Sequence, residues 1–253
     1  MKFETAHQIL KGIPYISEEN AKELYDFIIK NKLTNLLELG IAHGVASCYM
    51  AAAIDELGGG KLTCVDLLLD SNSAFNPSIE TLLKNLNLEK YVEMHRLKTG
   101  YNWFLHNDIK AQTVNNVCTP KYDFCIIDGP KNWTIDSSAF FCVDKLLKDN
   151  GWIIFDDYEW TYANAATKRE STDGITHRSL SDEELNTPQI KDVFHLLVMQ
   201  HPDYSNFKIA VDGDWVWAQK KKTDVKTVTY TTSTTATAML RNFVTRVRKK
   251  LRG

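Results

Sequence analysis

Several protein classes are excluded by what this 253-residue sequence has little of. Six prolines and twelve glycines form no linker-like stretch, so composition gives no reason to divide the chain into two folded domains. The five cysteines, Cys48, Cys64, Cys118, Cys125 and Cys142, are odd in number and contain no CxxC pair, which argues against a disulfide framework and a cysteine zinc site. No apolar run approaches the ~18 residues of a membrane span. The opening MKFETAHQIL lacks the basic and apolar regions of a secretory leader, so a cytoplasmic enzyme is the starting expectation. A large excess of one charge is also missing, the formal net charge being −2.

What is present is a globular composition, 43% hydrophobic and 25% charged, enough to bury a full core. The near-neutral charge conceals two unlike segments. From Lys220 onward there are ten Lys and Arg against the single acid Asp224, a net of +9, which leaves −11 on the chain before it. An acidic domain is a poor nucleic-acid binder, so any polyanion or membrane role belongs to the tail.

Short apolar runs alternate with helical patterns, the signature of β-α units and a parallel sheet buried on both faces. Strands are expected over Asn35 to Leu39, Lys61 to Asp66, Tyr91 to Leu97, Tyr122 to Ile127 and Trp152 to Phe155. Ser17 is placed to cap a helix running to Lys30 with Ala21, Leu24, Tyr25 and Ile28 on one face, and a second helix is expected from Val45 to Leu57. IKDVFHLLVMQH reads as a late helix, and FKIAVDGDWVWAQ reads as an antiparallel hairpin about a DG turn. The expected fold is α/β and Rossmann-like, a doubly wound, mostly parallel seven-stranded sheet with helices on both faces and a C-terminal antiparallel hairpin. The expected domain is 1–220, followed by a threonine-rich segment and basic tail over 221–253.

LLELGIAHGVAS places Glu38 and Gly40 at a strand end and Gly44 at a helix start. Glycines there allow a tight turn and close approach to a ligand, while helix amides face an anion. A dinucleotide loop would read GxGxxG; this one reads GxxxG with an acid two residues before the first glycine. The segment resembles the first motif, ExGxxxG, of class I S-adenosylmethionine (SAM)-dependent methyltransferases. That resemblance implies a SAM site containing Glu38, Gly40, Ala42 and Gly44. It also implies that Asp66, beside Leu67, accepts the ribose hydroxyls, and that Thr99, Gly100 and Tyr101 lie near adenine.

YDFCIIDGPKNW and GWIIFDDYEW are apolar strands that each end in carboxylate. If the two strands are neighbours, Asp128, Asp156 and Asp157 converge, and three close carboxylates call for a cation. Oxygen ligands suit magnesium. Alternating strand geometry sets a condition: Asp156 and Asp157 can share one ion only where the strand breaks. The spacing resembles the catechol and caffeoyl-CoA O-methyltransferase branch and bacterial O-methyltransferases of sugars and natural products. This implies Asp128, Asp156 and Asp157 as metal ligands, with Asp128 also a catalytic and cofactor-contacting residue, a small-molecule or sugar hydroxyl as substrate, and a catalytic role for Lys131, as general base or as substrate-orienting group.

The sequence reads DGPKNW where many relatives have a histidine, and His43 is a rival proton acceptor. A plain surface lysine is the alternative for Lys131, and Trp133, Tyr158 and Trp160 are expected either to wall a substrate ring or to pack. The polar stretch from Thr161 to Pro188 is expected to lie over the substrate side as a lid. The tail MLRNFVTRVRKKLRG forms a basic amphipathic pattern that fits an anionic membrane, a contact with another subunit, or a solvated helix. Two other readings stay open: a metal-independent methyltransferase, and a SAM-binding protein without catalysis that docks in an assembly.

Overall fold

The computed structural model describes residues 1–68, 75–164, 180–211 and 215–231. The central sheet is built from β1 (Asn35–Leu39), β2 (Lys61–Leu67), β3 (Val92–Leu97), β6 (Tyr122–Ile127), β7 (Leu147–Phe155), β8 (Tyr204–Ala210), β9 (Val216–Lys220) and β10 (Val228–Thr231). Their order is β10-β8-β9-β7-β6-β1-β2-β3. The strands from β3 to β7 are mutually parallel, and β9 is antiparallel to both β7 and β8. A separate small hairpin pairs β4 (Thr113–Val114) with β5 (Val117–Cys118), its turn made by Asn115 and Asn116, both with positive φ.

Two apolar layers cover the sheet. On β1, Leu36 faces one layer while Leu37 and Leu39 face the other, as period-2 alternation requires. The first layer receives α1 (Phe3–Leu10), α2 (Glu18–Asn31), α3 (Val45–Glu56) and α4 (Ile79–Leu86). The second receives α5 (Tyr101–Gln112), α6 (Trp133–Leu146) and, after α7 (Asp182–Asn186), the short α8 (Gln189–Asp192) with its π-helical continuation Val193–Val198. Ser17 caps α2 by accepting from the Asn20 N–H at 3.1 Å, and Ala21, Leu24, Tyr25 and Ile28 are its buried face, as the sequence pattern predicts. Small residues Ala51, Ala52 and Ala53 are fully buried in α3, which therefore lies close against its neighbours.

After β1 the chain builds outward through β2 and β3, then crosses to the other side of β1 for β6 and β7. The switch point lies between β1 and β6, where ligand crevices open in such sheets. The expected hairpin is present as the β8–β9 pair, although its turn residues 212–214 lie outside the described residues.

The sheet has eight strands where the sequence reading counts seven. The added strand is β10, which pairs in parallel with β8 from within the segment assigned to the tail. Its sequence, VTYT, is β-branched and aromatic, which suits a strand, but a threonine-rich setting concealed it. The basic stretch of the tail lies in 232–253 and most of the expected lid in 165–179, both outside the described residues. No helix among the described residues is long and apolar enough to cross a membrane.

β10 accounts for two β8-side amides: Phe207 N–H donates to Thr227 O and Val211 N–H to Thr231 O, each at 2.8 Å. A chain ending at Lys226 should therefore exchange these two amides at least ~10-fold faster than one ending at Thr231, as read by hydrogen exchange with mass spectrometry or NMR. Equal protection in the two chains would show that β10 does not hold the edge.

Candidate active site

The ends of β1, β6 and β7 lie side by side. Asp128 N–H donates to Leu39 O at 2.8 Å and Asp156 N–H to Ile127 O at 3.1 Å, so the ladder continues one residue past each strand. Gly40, with φ +99°, sits so close to the β6 end that an added Cβ would lie 2.0 Å from the Asp128 carbonyl oxygen. This contact joins the glycine loop to the acidic site. Gly44, with φ +80°, starts α3, and a Cβ there would lie 2.5 Å from the Ile79 side chain.

Within the loop, Ala42 is held at φ +48°. Asp66 braces it: one carboxylate oxygen accepts from Ile41 N–H at 3.0 Å and Ala42 N–H at 3.3 Å, and the other from Leu67 N–H at 2.7 Å. The first turn of α3 has no side-chain cap, which leaves its amides oriented toward the loop. Glu38 points into the first layer and is 2% exposed, accepting from the Ser47 hydroxyl and, at 3.0 Å, from the Cys64 thiol. Loss of water pushes its pKa up to about 7 despite those two donors.

The geometric condition on the paired acids is met. β7 stops at Phe155, and Asp157 adopts φ +59°, which breaks the strand alternation. One carboxylate oxygen each from Asp128, Asp156 and Asp157 lies within 4.8 Å of the others. Burial, then the charge of Asp128, pushes Asp156 up to about 7, and burial raises Asp128 as well.

Lys131 is not a surface lysine. It is 6% exposed, and its ammonium donates to Asp128 while lying 3.6 Å from Asp156 Oδ2 and 3.4 Å from Asp157 Oδ2. Desolvation, the largest single influence, would lower its pKa, but the three carboxylates together outweigh it and the net direction is up. In this arrangement Lys131 is an ammonium with no lone pair for a proton. His43 Nδ1 lies 2.8 Å from the Pro77 carbonyl, which only accepts, so that nitrogen carries the hydrogen and a neutral ring keeps its lone pair on Nε2. The ring stacks on Tyr15 and leans on Phe75.

The remaining expected site residues divide. Leu67 and Gly100 come together, Leu67 Cδ2 being 3.6 Å from where a Gly100 Cβ would stand, and Thr99 is exposed beside them. Tyr101 is buried, its hydroxyl committed to Asp136. Tyr158 is also buried, with its hydroxyl 2.6 Å from His195 Nε2, so it packs more than it walls. Trp133 at the start of α6 is 38% exposed, and Trp160 packs edge-on against Tyr162, whose hydroxyl donates to Pro130 O.

Asp136 was missed by the sequence reading. Fully buried, it accepts from the Tyr101 hydroxyl and from Asn132 N–H at 2.7 Å, and a further backbone bond reaches it from Lys131. Burial raises its pKa to about 6. It therefore anchors the loop that carries Lys131. The available signal was an acid on the stripe of Ala139, Phe140 and Val143, the buried face of α6.

Residues 37–158 match the family model described as "Methyltransferase domain". Over those residues the chain is similar to methyltransferase domains. No curated protein matches the sequence. Among solved structures, the chain is similar to an O-methyltransferase from Bacillus cereus in complex with SAH, with 19% identity, 87% of this chain and 92% of that chain covered, and a TM-score of 0.59. It is similar to the O-methyltransferase TomG from Streptomyces achromogenes, involved in tomaymycin synthesis and solved with SAM, with 16% identity, 86% and 88% coverage and a TM-score of 0.55. It is also similar to the SAH-bound methyltransferase PaMTH1 from Podospora anserina, with 15% identity, 87% of each chain covered and a TM-score of 0.58. The chain thus shares the fold of these methyltransferases, and the glycine loop and the acidic cluster stand at its switch point.

Two changes test the site as built. Gly40→Ala meets both positive φ and a backbone carbonyl, and should cost about 2–5 kcal/mol in urea unfolding. Glu38 binds its proton more tightly folded than unfolded, from an ordinary value of 4.5 to about 7. Its contribution to stability is therefore fully present below the unfolded value and declines as pH rises toward 7. Glu38→Gln should flatten this decline by ~1–3 kcal/mol, seen by comparing denaturation of the two proteins between pH 5 and 8. Parallel pH curves for wild type and variant would show that Glu38 is ionised throughout.

Proposed function

We propose that this protein transfers the methyl group of SAM to a hydroxyl of a small molecule or sugar, assisted by a divalent ion, magnesium, at Asp128, Asp156 and Asp157. The observation that carries the reading is the direct abutment of the glycine loop on the three carboxylates through Gly40 and Asp128. The O-methyltransferases of similar fold solved with SAM or SAH support the cofactor and the reaction class. The donor set fits the metal: three carboxylates are hard oxygen ligands, and they already gather around a cation, the Lys131 ammonium.

When bound, SAM supplies an electrophilic methyl group, and a divalent ion supplies positive charge that favours the ionised hydroxyl. The residues of the chain do the positioning. The uncapped first turn of α3 offers amides to the cofactor's carboxylate, with Gly40 and Gly44 keeping the approach clear. Asp66 holds the loop through three amides and retains acceptor capacity for ribose hydroxyls. Leu67, Thr99 and Gly100 gather where the resemblance puts adenine. Tyr101 shapes the floor, since its hydroxyl serves Asp136.

Methyl transfer forms a C–O bond as the C–S bond breaks in line, so fixing the oxygen's approach is the main task. Lys131 supplies the counter-charge of the triad when no metal fills it, and His43, when neutral, offers an Nε2 lone pair for the hydroxyl proton. Trp133 and Trp160 offer apolar surface near the carboxylates. The basic tail is a candidate contact for an anionic membrane or another subunit.

Calorimetry should show SAM binding by the purified protein, and absence of affinity would overturn the reading. In an assay of S-adenosylhomocysteine release against a panel of catechols and hydroxylated sugars, chelation or Asp156→Ala should lower turnover by roughly 10²-fold or more. Turnover that survives both would assign the reaction to the metal-independent class.

A further inference from the structure

The Lys131 ammonium has three N–H donors, and it lies within ion-pair distance of three carboxylates, one oxygen on each. These are the same three side chains that can gather one ligand atom each around a metal ion. The lysine does not reach there by chance of a mobile loop. Its backbone is fixed at φ +62°, Asp136 holds its amide and that of Asn132, and Tyr162 donates to the preceding Pro130 carbonyl. Asn132 then caps α6 by accepting from Thr134 N–H at 2.9 Å and Ile135 N–H at 3.2 Å. The loop is thus pinned at both flanks, and the rotatable four-carbon stem carries the ammonium to the triad.

A divalent ion bound by the triad would stand a few ångströms at most from the present position of Nζ. Two cations at that separation repel, and the ammonium's hydrogen bond to Asp128 uses an oxygen that the ion would also need. We propose that Lys131 is the resident counter-cation of the acidic triad, and that a divalent metal ion and the Lys131 ammonium occupy the triad in turn, never together. The proposal rests on the reading of the triad as a metal site. Metal entry displaces the lysine side chain, and the apparent metal affinity is the intrinsic affinity reduced by the small fraction of molecules in which the triad is free of the ammonium.

The test uses Mn²⁺ alone as the probe on the full chain. Calorimetric or paramagnetic titration of wild type and Lys131→Met should show at least ~10-fold tighter binding by the variant, with Asp156→Asn in that background abolishing it. Equal affinity in wild type and Lys131→Met overturns the exclusion while leaving the metal site standing. No binding by either overturns the metal reading together with the exclusion. Should Lys131→Met fail to fold, the wild type carries the test: an amine-reactive reagent followed by peptide mass spectrometry should leave Lys131 unlabelled without metal and label it at saturating Mn²⁺. Protection of Lys131 that persists with Mn²⁺ bound overturns the proposal.

Discussion

The contact between Gly40 and the Asp128 carbonyl is the constraint on which the rest of the site depends. β1 and β6 are hydrogen-bonded neighbours, and the chain leaves each at the same level of the sheet. Only a residue without a Cβ can turn away from β1 there, because a Cβ would overlap the β6 carbonyl. The turn sends the glycine loop to one side and the DGPK loop to the other, their backbones touching. The glycine loop and the acidic cluster are adjacent because the sheet ladder makes them so.

Around that contact the structure manages buried charge in two ways. Glu38 and Asp136 are removed from water and held by neutral donors, Ser47 and Cys64 for one, Tyr101 and backbone amides for the other, and both are pushed toward protonation. The triad is handled differently, with a lysine brought in to face it. The first two acids serve as fixed braces for β1 with α3 and for α5 with α6. The triad instead has a charged partner, the Lys131 ammonium, within ion-pair distance of all three carboxylates.

Much of this was legible in the sequence because it follows from local rules. Ser17 before an amphipathic run gives the capped α2, and the five apolar runs give β1, β2, β3, β6 and the end of β7 within a few residues. The acids Asp128, Asp156 and Asp157 were recognisable as strand-end residues, and the break that lets the last two converge appeared as the geometric condition it fulfils. What was missed depended on partners distant in sequence. VTYT is a strand only because β8 presents an unpaired edge to it, and Asp136 matters only because Tyr101, 35 residues away, meets it across the α5–α6 packing. Tyr158, expected as a possible wall, turned inward to His195 for the same reason.

The sequence by itself determined the alternation of strands and helices, the glycine turn, and the carboxylates at strand ends, because periodicity, capping and backbone freedom act over a few residues. Only the tertiary structure decided that β6 lies beside β1, that three aspartates share one space, and that Lys131 fills it. Those are outcomes of which strands pair and which charges are enclosed together. A lysine three residues after an aspartate has no fixed electrostatic meaning until folding removes its water and supplies the other two carboxylates.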